Sequence, residues 1–148
     1  MAAVGRGWLR AAGRVLARPF AHWAGPKALG PRGEWLARRD LKRRGLKILA
    51  RNYRCAAGEA DLVALDATTR RTLGRETIAI VEVKTRRDDR YTEPYAAVDA
   101  AKQRRLKKIG LAFLADRRAQ DYPLRFDIVS VVIPETGKPR IEYLPDAF

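Results

Sequence analysis

The chain has 148 residues, 47% hydrophobic and 32% charged, with 31 Lys+Arg against 17 Asp+Glu, a formal net charge of +14 and a pI near 10.7. That length allows one domain with its own core, the composition argues against general disorder, and the charge selects polyanions as partners, nucleic acid before anionic membrane. A single cysteine, Cys55, and a single histidine, His22, exclude an intrachain disulfide, Cys/His zinc sites, Ser-His-Asp triads and Cys-His pairs.

Residues 1–32 form a basic extension, expected to be flexible, and the folded domain is expected over 33–148. Arg6, Arg10, Arg14 and Arg18 are spaced i, i+4 opposite Trp8, Leu9, Ala12, Val15 and Leu16, the pattern of a basic amphipathic helix ending near Pro19. Three readings of this segment stay open: a nucleic-acid-binding arm, a membrane-surface or transit segment, and an extension without a specific role. "AGPKALGPRG" reads as a linker. "GEWLARRDLKRRG" predicts a helix closed by Gly45, "LKILARNYR" a strand ending beside Cys55, and "GEADLVALD" a second strand. A turn around "ATTRRTLG" leads to a third strand in "RETIAIVEVKTR", and a helix is predicted from Glu93 or Pro94 to Arg118. "LRFDIVSVVI" and "PRIEYL", separated by the turn "PETGK", complete the order αβββαββ, an α/β class with a mixed central sheet flanked by helices. No apolar run approaches the roughly 20 residues that span a bilayer, so no integral membrane association is expected. A lone cysteine fits a reducing, cytoplasmic compartment, and the charge fits association with the nucleoid.

Several charges break the patterns in which they sit. In "IAIVEVKT", Glu82 and Lys84 share a strand face with Ile78 and Ile80, while Ala79, Val81 and Val83 make the other face apolar too. Asp61 shares its face with Val63 and Leu65. Glu34 falls on the predicted inward stripe with Ala37 and Leu41, and Lys102 falls amid Val98, Leu106, Ile109 and Phe113. Each alone has an ordinary explanation as a cap, a paired charge or a snorkelling lysine. Together they form a constellation, because Asp61 and Glu82 lie on consecutive hairpin strands that can set the two carboxylates side by side. With cysteine and histidine chemistry removed, such a cluster points to Mg2+ or Mn2+ held by hard oxygens and to phosphodiester hydrolysis. Asp61, Glu82 and the Val83 carbonyl would hold the ion, with Glu34 completing the shell from the helix. Lys84 would orient water or stabilise developing negative charge. Arg86, Arg87 and Arg90 with Arg104, Arg105, Lys107 and Lys108 would supply a basic rim for a phosphate backbone, the alternative for the helical residues being an ordinary solvated face. Arg125 and Asp127 read as an ion pair of structural role beside the site.

"GEADLVA" followed by "VEVKTR" resembles the PD-(D/E)xK nuclease superfamily, with Asp61 as the D and Glu82-Val83-Lys84 as the ExK. More narrowly, "GEWLARRDLKRRGLKILARNYR", "GEADLVALD", "IVEVKTR", "RFDIVSVV" and the terminal "DAF" resemble the YraN family of small bacterial proteins, which is similar to archaeal Holliday-junction resolvases. The resemblance covers roughly residues 30–148. It implies a restriction-endonuclease-like core, a nuclease site at Glu34, Asp61, Glu82 and Lys84, and a matching role for Lys102 on the helix after the ExK strand. It also implies a homodimer. The resulting expectation is a Mg2+-dependent endonuclease acting on DNA, including branched or structured DNA. The alternative is a non-catalytic nucleic-acid-binding protein that retains the nuclease fold.

Overall fold

A computed structural model describes residues 28–88 and 98–148. Residues 1–27 of the expected basic extension, together with Arg90 of the expected basic rim, lie outside the described residues. Helix α1 spans Leu29–Arg43, so it begins inside the stretch expected as a linker. Pro31 is tolerated there because the first four N–H groups of a helix have no partner within it, and the Arg32 N–H already closes onto the Ala28 carbonyl at 3.4 Å. Strands β1 (Leu46–Cys55) and β2 (Gly58–Asp66) form a hairpin, and the following turn contains a single helical turn, α2 (Arg70–Leu73). Strand β3 (Thr77–Arg86) is followed by helix α3 (Ala100–Asp116), then β4 (Leu124–Val132) and β5 (Arg140–Leu144). Helix α3 starts at Ala100, where the Asp99 side chain caps it by accepting the Lys102 N–H at 2.7 Å, while the expected start at Glu93 or Pro94 lies outside the described residues.

The five strands lie in the order β1-β2-β3-β4-β5. All neighbours are antiparallel except β3 and β4, which are parallel and joined through α3. This is an α/β fold with a mixed sheet flanked by helices, consistent with a restriction-endonuclease-like core. β3 is the central strand and is apolar on both faces because both are covered. Leu62, Ala64, Ala79, Val81, Val129 and Val131 pack with Ala37 and Leu41 of α1. Val63, Leu65, Ile78, Ile80 and Ile128 pack with Leu106, Ile109 and Phe113 of α3.

Glycine brings both helices close to the sheet, α1 to β3 and α3 to β4. A Cβ on Gly33 would lie 1.8 Å from the Thr85 hydroxyl oxygen, and one on Gly110 would lie 2.7 Å from a Leu124 methyl. The buried stripe of α1 is therefore Gly33, Ala37 and Leu41, and Glu34 sits at its margin instead of on it as the sequence suggested.

Arg125 and Asp127 do form a bidentate pair, at 2.8 and 3.0 Å, but not beside the charged constellation. By strand alternation they lie on the α1 face, whereas Glu82 and Lys84 lie on the α3 face. Arg125 also donates to Asp66 at 3.1 Å and to the Tyr143 hydroxyl at 2.9 Å. The Tyr143 hydroxyl donates to Asp127 at 2.6 Å, and the Asp146 N–H donates to Asp127 at 2.9 Å, tying down the C-terminal residues. The Asp127 side chain is fully buried.

Two stability predictions follow from these contacts. Gly33→Ala lowers stability by about 1–3 kcal/mol in thermal denaturation, and adding Thr85→Ala recovers only part, because the Thr85 Cβ itself is 2.7 Å from the added methyl. Arg125→Met costs on the order of 3–5 kcal/mol by strandeding Asp127 and Asp66 without their cation, measured by denaturant unfolding.

Candidate active site

The site arises where β2 leaves β3. Their ladder runs from Asp66↔Thr77 to Leu62↔Val81 and stops there, although β2 continues to pair with β1 down to Gly58 and β3 with β4 up to Arg86. Had the ladder continued, Asp61 would face Glu82 and Ala60 would face Val83. Instead, the Val83 N–H donates to the Asp61 Oδ2 at 2.7 Å. The Val83 backbone thus meets Asp61 first through its N–H, a contact that the sequence reading, which used only the carbonyl, did not foresee. That bond fixes the Asp61 carboxylate at the fork.

Glu82 is buried, and its side chain is 7% exposed. Its Oε1 takes the Lys84 Nζ at 2.9 Å and also accepts from the Lys102 Nζ. Lys84 comes from two residues along the same strand face, whereas Lys102 comes from the first turn of α3, directed by the Asp99 cap. The structure therefore gathers Asp61, Glu82, Lys84 and Lys102 on one face of the sheet. Ser130, buried and paired in register with Lys84, lies on the same face and was missed by the sequence reading. Its only sequence signal was a hydroxyl interrupting the apolar run of β4.

Glu34 is not gathered into that group. Among the described residues, no three acidic, histidine or cysteine side chains are disposed to hold one ion. Glu34 rides on α1, on the other face of the sheet from α3, yet its charge still reaches Asp61. Burial raises its carboxyl above the usual range, the Arg38 charge and a hydrogen bond with Asn52 oppose this, and Glu59 adds repulsion. Asn52 adopts a left-handed backbone at φ 48° within β1, a conformation that Asn tolerates better than most residues. An Asn in the middle of "LARNYR" was the one available signal for this partner of Glu34.

The electrostatics are those of two carboxylates sharing one place. Burial, and then the Glu82 charge, push the Asp61 carboxyl up to about 6, while the Val83 N–H bond and Lys102 pull the other way and Glu34 adds a smaller push upward. Burial alone would lower Lys102, but its hydrogen bond to Glu82 and the Glu82 charge outweigh this and hold it protonated. A paired, partly buried carboxylate set of this kind fits a Mg2+-like ion, which keeps several waters and needs only one or two carboxylates.

The expected basic rim divides. Arg104, Arg105, Lys107 and Lys108 are exposed on α3, and Ala57, Ala101, Arg104, Arg105 and Lys108 line an open depression of about 300 Å³. Arg105 follows Lys102, which contacts Glu82, by one helical turn. Arg87 is exposed and lies 3.8 Å from Glu135, whereas Arg86 is half-buried. No helix among the described residues is long and apolar enough to cross a membrane.

The sequence profile of the uncharacterised protein family UPF0102 matches residues 33–131, which include Glu34, Asp61, Glu82, Lys84 and Lys102. A UPF0102 protein of Geobacter metallireducens is 44% identical over 82% of this chain and 93% of its own length. UPF0102 proteins of Geobacter sulfurreducens and Nocardia farcinica are 42% and 41% identical, each over 82% of this chain and over 89% and 90% of their own lengths.

The raised carboxyl of Asp61 yields a stability prediction for the metal-free protein. An acid whose folded pKa lies above its unfolded value stabilises the fold below the unfolded value and loses that contribution as the pH rises through about 6. Asp61→Asn, which keeps an acceptor for Val83, therefore melts higher than the wild type at pH 8 in chelator, by about 1 kcal/mol after allowance for solvent screening, or on the order of 4 °C. At pH 4 the two melt alike. Equal melting at both values would contradict this account of the pair.

Proposed function

The chain belongs to the uncharacterised protein family UPF0102, and from that membership and the site geometry we propose a Mg2+- or Mn2+-dependent endonuclease that hydrolyses phosphodiester bonds in DNA. One observation carries the reading: two carboxylates converge at the end of a strand ladder, with two lysines on the same face and an exposed basic helix beside them. A structural ion pair needs one acid and one base, and a purely binding surface needs no buried carboxylates, which repel phosphate. Asp61 and Glu82 are the residues that would hold the cation, and the Val83 carbonyl is a third candidate ligand. When bound, such an ion supplies Lewis acidity and an activated water.

The chain's own groups account for the rest. The Val83 N–H orients Asp61, so the carboxylate does not have to be ordered when the cation arrives. Lys84, with a quarter of its side chain exposed, is placed to stabilise the negative charge that develops on a phosphoryl oxygen. Arg104, Arg105, Lys107 and Lys108 hold the flanking backbone by phosphate contacts, which position DNA without reading its sequence. Fixed phosphate contacts on a rigid helix also suit branched or structured DNA, where backbone shape varies more than base edges do.

Cleavage of end-labelled linear, flapped and four-way DNA tests the proposal. The wild type cuts at least one of these with Mg2+ or Mn2+ and none in chelator. Glu82→Gln and Lys84→Met each lose about 10²–10³-fold in rate while retaining salt-sensitive binding. Binding without cutting by the wild type under every divalent condition would replace the enzyme with a non-catalytic nucleic-acid-binding protein.

A further inference from the structure

We propose that Lys102 is an internal cation that occupies Glu82 until a phosphate group draws it away, so that divalent-cation binding is coupled to nucleic-acid binding. The inference rests on the cation site proposed above and concerns how that site is controlled. Its starting point is an excess of positive charge around one oxygen. The Lys84 and Lys102 ammonium groups both contact the Glu82 Oε1, although Lys84 at 2.9 Å already pairs it.

Lys102 also stands where a helix disfavours a cation. It lies three residues after the Asp99 cap, in the first turn of α3, where the helix dipole presents its positive end. Its placement there is explained by Glu82. With Asp61, Glu82, Lys84 and Lys102 all charged, the four groups sum to zero, so a divalent ion entering the cluster meets no net attraction. Moving one ammonium onto a phosphate leaves a net negative pocket. Lys102 can make that move, since a third of its side chain is exposed and Arg105, one turn along, extends the same flank into the basic rim. Lys84 is fixed more closely by its strand, and Glu82 is buried between the two.

Two sites linked in this way affect each other equally, so nucleic acid tightens cation binding by the factor by which the cation tightens nucleic-acid binding. Lys102 is in this sense a positioning residue, acting through Glu82.

Calorimetric titration of Ca2+ into the full chain, alone and with a short DNA duplex, tests the coupling without relying on turnover. Glu82→Gln measures the background uptake by DNA and by the rest of the surface. Without DNA, Lys102→Met binds Ca2+ about tenfold tighter than the wild type, and Lys102→Arg binds it as weakly as the wild type does. The gain in Ca2+ affinity that the duplex brings is about tenfold smaller in Lys102→Met than in the wild type. If Lys102→Met does not fold, Lys102→Gln carries the same comparison. Unchanged Ca2+ affinity in the folded neutral variant, or an equal DNA-induced gain in both proteins, overturns the coupling while leaving the cation site standing. No Ca2+ uptake above the Glu82→Gln background in any variant removes the cation site itself, and the coupling with it.

Discussion

Where β2 parts from β3, the Val83 N–H loses the carbonyl that a continued ladder would offer, and the Asp61 carboxylate takes its place. Backbone donors left unpaired in an interior are costly, so this substitution allows the central strand to fork without a penalty at the fork. It also locks a carboxylate beside Glu82, which has to be there because the side chains of β3 alternate. The rest of the site depends on this one bond. Without it, β2 and β3 would zip further or splay loosely, and the two acids would not share one place.

Two carboxylates held together are strained in charge, and the fold offsets this from the α3 side. The Asp99 cap sets the start of α3 and thereby the place of Lys102, while Gly110 lets the helix lie close against Leu124 and Ile80. On the other face, Gly33 brings α1 against Thr85 and leaves Glu34 at the margin, near Asn52 and within electrostatic range of Asp61. The cluster of Arg125, Asp66, Asp127 and Tyr143 belongs to that opposite face and secures the C-terminal residues. The protein thus keeps two polar groups apart. One is fully cross-bonded and anchors structure, and the other balances charge across a partly open face.

The strands were legible because their signal is local. "GEADLVALD" reads as β2 from alternation and a leading glycine, and its observed bounds, Gly58–Asp66, are the same. Asp61, Glu82, Lys84 and Lys102 could be singled out because each violates an apolar period. What the period could not supply was direction across the sheet. Glu34 looked inward because Ala37 and Leu41 do, yet Gly33 takes that position, a choice set by the close approach to Thr85, 52 residues away. Arg125 and Asp127 looked adjacent to the site because they are near it in strand order, but parity puts them on the opposite face. The start of α3 at Ala100 depends on the Asp99 cap, a local signal the apolar period does not carry.

The central claim is that Asp61 and Glu82 form one cation site at the fork. Its most direct test is a crystal of the wild-type protein soaked with Mn2+, with anomalous scattering recorded at the manganese edge. The account predicts an anomalous peak at the Asp61 and Glu82 carboxylates. A well-ordered site without that peak at saturating Mn2+ would contradict it.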